Sequence, residues 1–326
     1  MNKEIKQLIQ RVEDTITTLT FGEDPPVLYE PLRYIMQLGG KRMRPLLTLL
    51  AYNLYKDDIA PALKPAVAVE VFHNFTLLHD DIMDNAPLRR GKPTVHEQWN
   101  PTIALLSGDV MLIKSYEILM QDLPDSTLRR VLDAFNRCAT GVCEGQQHDM
   151  NFETQQRVTE PSYLNMIEQK TAILLGFALE LGAIIGGASP ENAGKLRRFG
   201  VNIGIGFQLQ DDLLDVYADQ DKFGKQVGGD IIANKKTYLL IKALQLASGS
   251  MAQSLEHWLT APDFDPKEKV EAVTHLYNEL GVKGLTEEKM NQYFTNGFEA
   301  LEKLDVTEER KEPLITFTQW LLNRDK

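Results

Sequence analysis

Residues 73–96 read HNFTLLHDDIMDNAPLRRGKPTVH. An apolar, helix-forming run ends in three aspartates within five residues, Asp80, Asp81 and Asp84, and two arginines, a glycine and a lysine follow at once. Surface decoration rarely has this order. The arrangement returns in residues 207–215, FQLQDDLLD, where Asp211, Asp212 and Asp215 again follow apolar helical sequence. On an α-helix, positions i and i+4 share one face about 6 Å apart along the axis. Asp80 and Asp84 therefore point one way, Asp211 and Asp215 do likewise, and Asp81 and Asp212 lie about 100° round the helix.

Working outward, apolar residues recur at helical spacing nearly everywhere, as in Ile5, Leu8, Ile9 and Val12, then Leu46, Leu47, Leu49, Leu50 and Leu54. Gly and Pro punctuate these runs, at Pro25-Pro26, Gly39-Gly40, Pro61, Pro87, Gly91, Pro101, Pro124, Pro161, Gly186-Gly187 and Pro190. No run of alternating strands and no low-complexity linker stands out. The expectation is an all-α fold in one domain, residues 1–326. With 43% hydrophobic and 25% charged residues, the 326-residue chain can build a substantial core. The run 171–188, TAILLGFALELGAIIGGA, is about long enough to span a bilayer. Glu180 in its middle and the small residues of its second half point instead to a buried helix of a soluble protein. The N-terminal residues are charged throughout, without the apolar core of a secretory signal, so a cytoplasmic location is expected. Cys138 and Cys143 fall on different faces of a helical segment and read as two buried thiols.

The net charge of −11 argues against nucleic-acid binding and repels any anionic ligand, which must be held by a local basic cluster or by bound cations. Like charges about 4 Å apart repel by roughly 4 kcal/mol at an effective dielectric of 20. Each acidic turn therefore destabilises its helix unless a cation binds there. Carboxylates with open positions left for water and phosphate oxygens suit Mg²⁺. The alternative is a solvated surface patch, which the repetition after two apolar helices disfavours. Basic residues stand at segment boundaries nearby. Lys41 and Arg44, in GGKRMRP, lie three apart at a helix start, where free N–H groups add to a phosphate site. Arg89 and Arg90 follow the first acidic turn, Lys170-Thr171 opens the 171–188 helix, and Lys225 and Lys235 follow the second turn. This equipment serves two polyanionic groups. One would sit on carboxylate-bound metal, which takes up the charge of a leaving group; the other needs only fixed cations.

The pieces GGKRMRP, HNFTLLHDDIMDNAPLRRGKPTVH, Lys170-Thr171, GFQLQDDLLDV, GKQVGGD and KKTY resemble, in order and spacing over about residues 39–240, the trans-type isoprenyl diphosphate synthases. The resemblance implies helices around a deep cavity, with the two aspartate motifs facing each other across its mouth, and a homodimer. It implies that diphosphate, bound to three Mg²⁺ ions, leaves an allylic substrate. The double bond of isopentenyl diphosphate then attacks the cation, and the released diphosphate takes the last proton. Carried over residue by residue, Asp80, Asp84 and Asp211 resemble the direct metal ligands, and Asp81, Asp212 and Asp215 further or water-mediated ones. Arg89, Lys170, Gln208, Lys225 and Lys235 resemble the residues on the allylic diphosphate. Lys170, Thr171 and Gln208 match those that stabilise the nascent cation. Lys41, Arg44, His73 and Arg90 match the isopentenyl diphosphate clamp; on residues alone, His73 reads as a core histidine.

In such enzymes the cavity floor lies four and five residues before the first aspartate, at Thr76 and Phe75. Phe75 stands about 7–8 Å below Asp80 along the helix, and its ring implies a short product, geranylgeranyl diphosphate ahead of farnesyl diphosphate. A class I terpene cyclase would not need Lys41 and Arg44, and its second metal motif usually mixes Asn, Ser or Thr with Glu. An HD phosphohydrolase, suggested by His79-Asp80, would need further histidine ligands. A non-catalytic subunit of a heteromeric synthase often lacks one motif, whereas this chain keeps them all.

Overall fold

The computed structural model describes residues 3–218 and 228–322. These form helices almost throughout, as expected. They run α1 Lys3–Thr17, α2 Pro26–Gln37, α3 Met43–Asn53, α4 Ala60–Met83, α5 Val95–Gln98, α6 Pro101–Met120, α7 Asp125–Thr154, α8 Glu160–Ile167, α9 Ile173–Gly186, α10 Pro190–Tyr217, α11 Gly229–Ile232, α12 Tyr238–Leu246, α13 Gly249–Thr260, α14 Pro266–Glu279, α15 Val282–Glu302 and α16 Glu308–Leu322. A two-stranded hairpin, β1 Leu88–Arg89 with β2 Lys92–Pro93, interrupts the helices. The chain divides into two compact units, each assembled from separate segments.

The first unit comprises Met1–Phe135, Phe177–Leu196 and Leu304–Lys326. Its axis is α4, whose Ala62, Ala66, Val67, Ala68, Val69, Val71, Phe72, Phe75 and Leu78 are all buried. A helix apolar on every side belongs inside, and α4 packs against α1, α2, α3, α5 and α6. Asn100 caps α6 by accepting the Ile103 N–H at 2.9 Å, with Pro101 at the first turn. Gly108 of α6 lets His79 lie against the helix, since a Cβ there would stand 2.1 Å from His79 Nε2.

The second unit comprises Asn136–Gly176 and Arg197–Lys303. Here α10 sends Ile205 and Leu209 into one apolar cluster with Phe152, Tyr163, Met166 and Tyr238. One further turn sends Leu213 and Val216 into another, with Leu240, Leu255 and Tyr277. Asp211, Asp212 and Asp215 are thereby fixed on a helix held at successive turns by two apolar clusters.

Two expectations need correction. Lys170 and Thr171 do not open a helix: they lie in a π-helical turn, Glu168–Ala172, inside one continuous helix Glu160–Gly186. The wider turn is sterically possible because glycines face it. A Cβ on Gly145 of α7 would stand 2.2 Å from the Lys170 nitrogen, and one on Gly204 of α10 would stand 2.6 Å from Ala172 Cα. Second, Cys138 is buried but Cys143 is exposed, each on its own side of α7. The apolar window of Glu160–Gly186 is 67% buried in the protein, in line with a core helix.

Gly145→Ala should test the π-turn packing. Alanine gains about 1 kcal/mol of helix propensity, but the obstacle is backbone and cannot swing away, so overpacking of about 1–3 kcal/mol should prevail. A lowered urea midpoint is the expected outcome; a raised one would mean that the turn yields.

Candidate active site

In the first unit a cavity of about 420 Å³ is lined by Gly40, Lys41, Arg42, Met43, Arg44, Glu70, His73 and Arg90. Its floor is a backbone device. Gly39, Gly40 and Arg42 all have positive φ, at 75°, 148° and 48°, so the chain folds sharply before α3 begins. Arg42 is buried and held from three sides: Nε reaches Glu13 Oε1 at 2.8 Å, Nη1 reaches Glu70 Oε1 at 2.7 Å, and Nη2 donates to the Met36 carbonyl at 2.9 Å. Arg42 is thus tied inward, and Lys41 and Arg44 line the cavity beside it. Gly40 admits Arg90, because a Cβ there would lie 2.9 Å from its Nη2.

Arg44 Nη1 stands 3.0 Å from His73 Nε2. Arg44 can only donate, so His73 Nε2 accepts and its proton sits on Nδ1. Burial first, then the charges of Arg44, Arg90, Arg89 and Arg42, hold the His73 pKa well below its ordinary value. His73 is a neutral acceptor that aims Arg44.

The arginine–glycine signature is a tight hairpin. Arg90 and Gly91 have φ of 54° and 74°, the pair of positive values a type I′ turn requires. This turn sends Arg89 back to Asp81, where Nε and Nη2 grip the two carboxylate oxygens at 2.8 and 2.7 Å. Asp81 is 2% exposed, while Asp80 and Asp84 reach solvent. Lower on α4, Phe75 packs on Phe72 and His79, at ring separations of 5.6 and 4.8 Å, and Thr76 Oγ1 donates to the His73 carbonyl.

In the second unit Asp149, Tyr163, Lys170, Thr171, Gln208, Asp212 and Lys235 line a small cleft. Asp212 is buried and accepts from Tyr163 Oη, from Gln208 Nε2 at 3.3 Å and from the Tyr238 N–H at 3.4 Å. That N–H belongs to the first turn of α12, which Thr237 caps, so the positive end of the helix dipole meets the carboxylate. Burial still pushes Asp212 up to about 7, against the pull of the Tyr163 hydrogen bond. Lys170 Nζ pairs with Asp149 Oδ2 at 2.5 Å, and Thr171 Oγ1 donates to Gln208 Oε1 at 3.4 Å. Asp215 accepts the Asp230 N–H at 2.9 Å. Lys235 is raised above its ordinary value: burial lowers it, but Asp230, Asp212, Asp149 and Asp215 together prevail. Lys225 lies outside the described residues.

Both acidic turns follow one plan. The middle aspartate is buried and tied to donors, whereas Asp80, Asp84, Asp211 and Asp215 keep access to solvent. Among the described residues no group of three or more His, Cys, Asp or Glu converges as a ready-made metal cage. A cation here would draw on accessible hard oxygens and complete its shell with water and phosphate, the mode Mg²⁺ prefers. The donors fit that ion. Sequence reading missed Arg42, Glu13, Glu70, Tyr163 and Asp149; the available signs were the place of Arg42 inside GGKRMRP and the lone charge of Glu70 in the apolar run 66–72.

Residues 25–279 match the family model described as polyprenyl synthetase. The chain belongs to the polyprenyl synthetase family. It is a trans-prenyltransferase that makes isoprenyl diphosphates. A geranylgeranyl diphosphate synthase of Methanosarcina mazei is 36% identical over 326 residues, covering 99% of this chain and 97% of that one. A crystal structure of a geranylgeranyl pyrophosphate synthase aligns with TM-score 0.93 at 41% identity, covering 100% of both chains. That of the geranylgeranyl pyrophosphate synthase from Corynebacterium glutamicum, complexed with isoprenyl diphosphate and magnesium, aligns at 0.81 with 28% identity, covering 98% of this chain and 97% of that one.

The neutral His73 gives a direct check. Its folded pKa lies below the unfolded 6.5, so it contributes stability above pH 6.5 that is lost as pH falls toward the folded value. Heteronuclear NMR should show a neutral Nδ1–H ring at pH 6, and Arg44→Ala should move the titration upward. An imidazolium at pH 6 in the unmodified protein would overturn the assignment.

Proposed function

We propose that this polyprenyl synthetase joins isopentenyl diphosphate to an allylic diphosphate, head to tail, and stops at geranylgeranyl diphosphate. The observation that carries the reading is the division of labour between two anion sites: a cavity lined by the cations Lys41, Arg44 and Arg90, and acidic turns whose outer carboxylates suit cations. The reading takes the protein as one catalytic domain working in the cytoplasm.

In this reading Lys41, Arg44 and Arg90 hold isopentenyl diphosphate, with neutral His73 keeping Arg44 on target. Asp80, Asp84 and Asp211 are the direct Mg²⁺ ligands, and Asp215 is a water-mediated one. When bound, Mg²⁺ takes up the charge that develops on the departing diphosphate; we propose three such ions. Asp81 and Asp212, being tied inward, serve chiefly to fix Arg89 and the α10 turn. Arg89, Lys170, Lys235 and Lys225 hold the allylic diphosphate, so Lys170 exchanges its Asp149 partner for phosphate oxygen. Thr171 and Gln208 present oxygens to the carbocation. The apolar walls around Phe72 and Phe75 deny it water.

Product length follows from the same wall. Phe75 is 8% exposed, and behind it the rings of Phe72, Phe135, Tyr116 and Phe177 follow at centroid separations of 4.6–5.4 Å. Thr76 leaves some room beside it, which favours geranylgeranyl over farnesyl diphosphate. The partner is a second copy of this chain. On α6 the exposed Leu105, Leu106, Ile113 and Met120 fall in one sector of about 100°, opposite the buried Ala104, Gly108, Met111 and Ser115.

The reading is tested by incubating the isolated chain with Mg²⁺, isopentenyl diphosphate and dimethylallyl, geranyl or farnesyl diphosphate. Geranylgeranyl diphosphate should be the end product. A hydrocarbon formed without isopentenyl diphosphate would mean a cyclase, and no product would mean a binding subunit. Phe75→Ala should shift the product to longer chains; an unchanged distribution would remove Phe75 from the floor. Ile113→Asp should convert a dimer to a monomer in light scattering, and a dimer that persists would exclude this face of α6.

A further inference from the structure

Lys269 of α14 is fully buried, at 0% exposure. Its ammonium donates to two neutral oxygens, Asn234 Oδ1 at 2.7 Å and the Ile232 carbonyl at 3.3 Å, and sits 4.1 Å over the Phe264 ring. A buried ammonium costs several kcal/mol, and neutral acceptors with one cation–π contact offset it less well than a carboxylate would. What Lys269 holds is a segment with unusual backbone. Asn234 has φ of 54°, and its Nδ2 donates to the Leu259 carbonyl at 3.1 Å. Gly228, at φ 84°, abuts the neighbouring Val270, since a Cβ there would lie 2.5 Å from Val270 Cγ2. Helix α14 thus braces the 228–237 segment at its start, Gly228, and again at Ile232 and Asn234.

Between and just beyond those two points stand the groups that face the acidic turn. The Asp230 N–H donates to Asp215 Oδ2 at 2.9 Å, and the Lys235 N–H donates to the Asp230 carbonyl at 2.9 Å. The Lys235 ammonium lies 3.7 Å from Asp230 Oδ1. Lys269 therefore connects to Asp215 through Asn234, Lys235 and Asp230 in unbroken sequence. We propose that Lys269 is a positioning residue for prenyl transfer: through Asn234 it fixes the 228–237 segment and so sets where Lys235 presents its charge. This rests on the reading that Lys235 holds the allylic diphosphate.

The test is steady-state kinetics of Lys269→Met, of Asn234→Gly, which keeps the backbone freedom while removing the amide, of the double variant, and of Lys235→Ala as reference. Each of the first two should raise the KM for the allylic diphosphate about tenfold. The KM for isopentenyl diphosphate should stay within about twofold, and the double variant should be no worse than either single one, because both cut the same link. Should Lys269→Met fail to fold, Asn234→Gly reports the same link. Unchanged allylic KM in the folded variants, or losses that multiply in the double variant, would overturn the proposal while Lys235→Ala remains impaired. An unimpaired Lys235→Ala enzyme would instead overturn the underlying assignment of Lys235, and the proposal with it.

Discussion

Electrostatic repulsion between a chain of net charge −11 and the diphosphates it handles is the constraint on which the rest depends. The fold meets it locally. In one unit it collects guanidinium and ammonium groups around a sharply bent loop and turns the one surplus arginine, Arg42, inward onto Glu13 and Glu70. On the acidic turns it buries the middle carboxylate and keeps the outer ones in reach of solvent. Each arrangement relies on a side chain taken out of play, Arg42 in the first case and Asp81 or Asp212 in the second. A solvated charge patch would have no use for such internal ties.

The buried ties also hold elements together. Removing one partner of a buried, hydrogen-bonded charge costs about 3–5 kcal/mol, because the other is left stranded. The Asp81–Arg89 pair links the end of α4 to the hairpin. Asp212 links α10 to Tyr163 of α8 and to the start of α12. These links set the angular position of the neighbouring outer aspartates, which a helix alone leaves subject to fraying at its last turn, where Asp84 sits as C-cap.

Much of this was legible in the sequence. Helical periodicity is local, so the all-α character and the faces of the two acidic turns could be read from spacing alone. GGKRMRP and RRG could be located because glycine is needed where the backbone takes positive φ, at Gly39, Gly40 and Gly91. What stayed hidden is long-range. Tyr163 is 49 residues from Asp212, and Arg42 lies 28 from Glu70; such pairs leave no periodic trace. The π-turn at Lys170 leaves no local sign, because the groups that make room for it sit elsewhere, at Gly145 and Gly204. Cys143 departs from the usual burial of thiols because its own helix turns it outward.

The most direct measurement is isothermal titration of the protein with an unreactive allylic analogue, farnesyl thiodiphosphate, and separately with isopentenyl diphosphate, each with Mg²⁺ and with excess chelator. Chelation should weaken the allylic analogue by at least about tenfold, 1.4 kcal/mol, while isopentenyl diphosphate binds nearly as before. Equal affinity for the allylic analogue in both conditions would contradict this expectation.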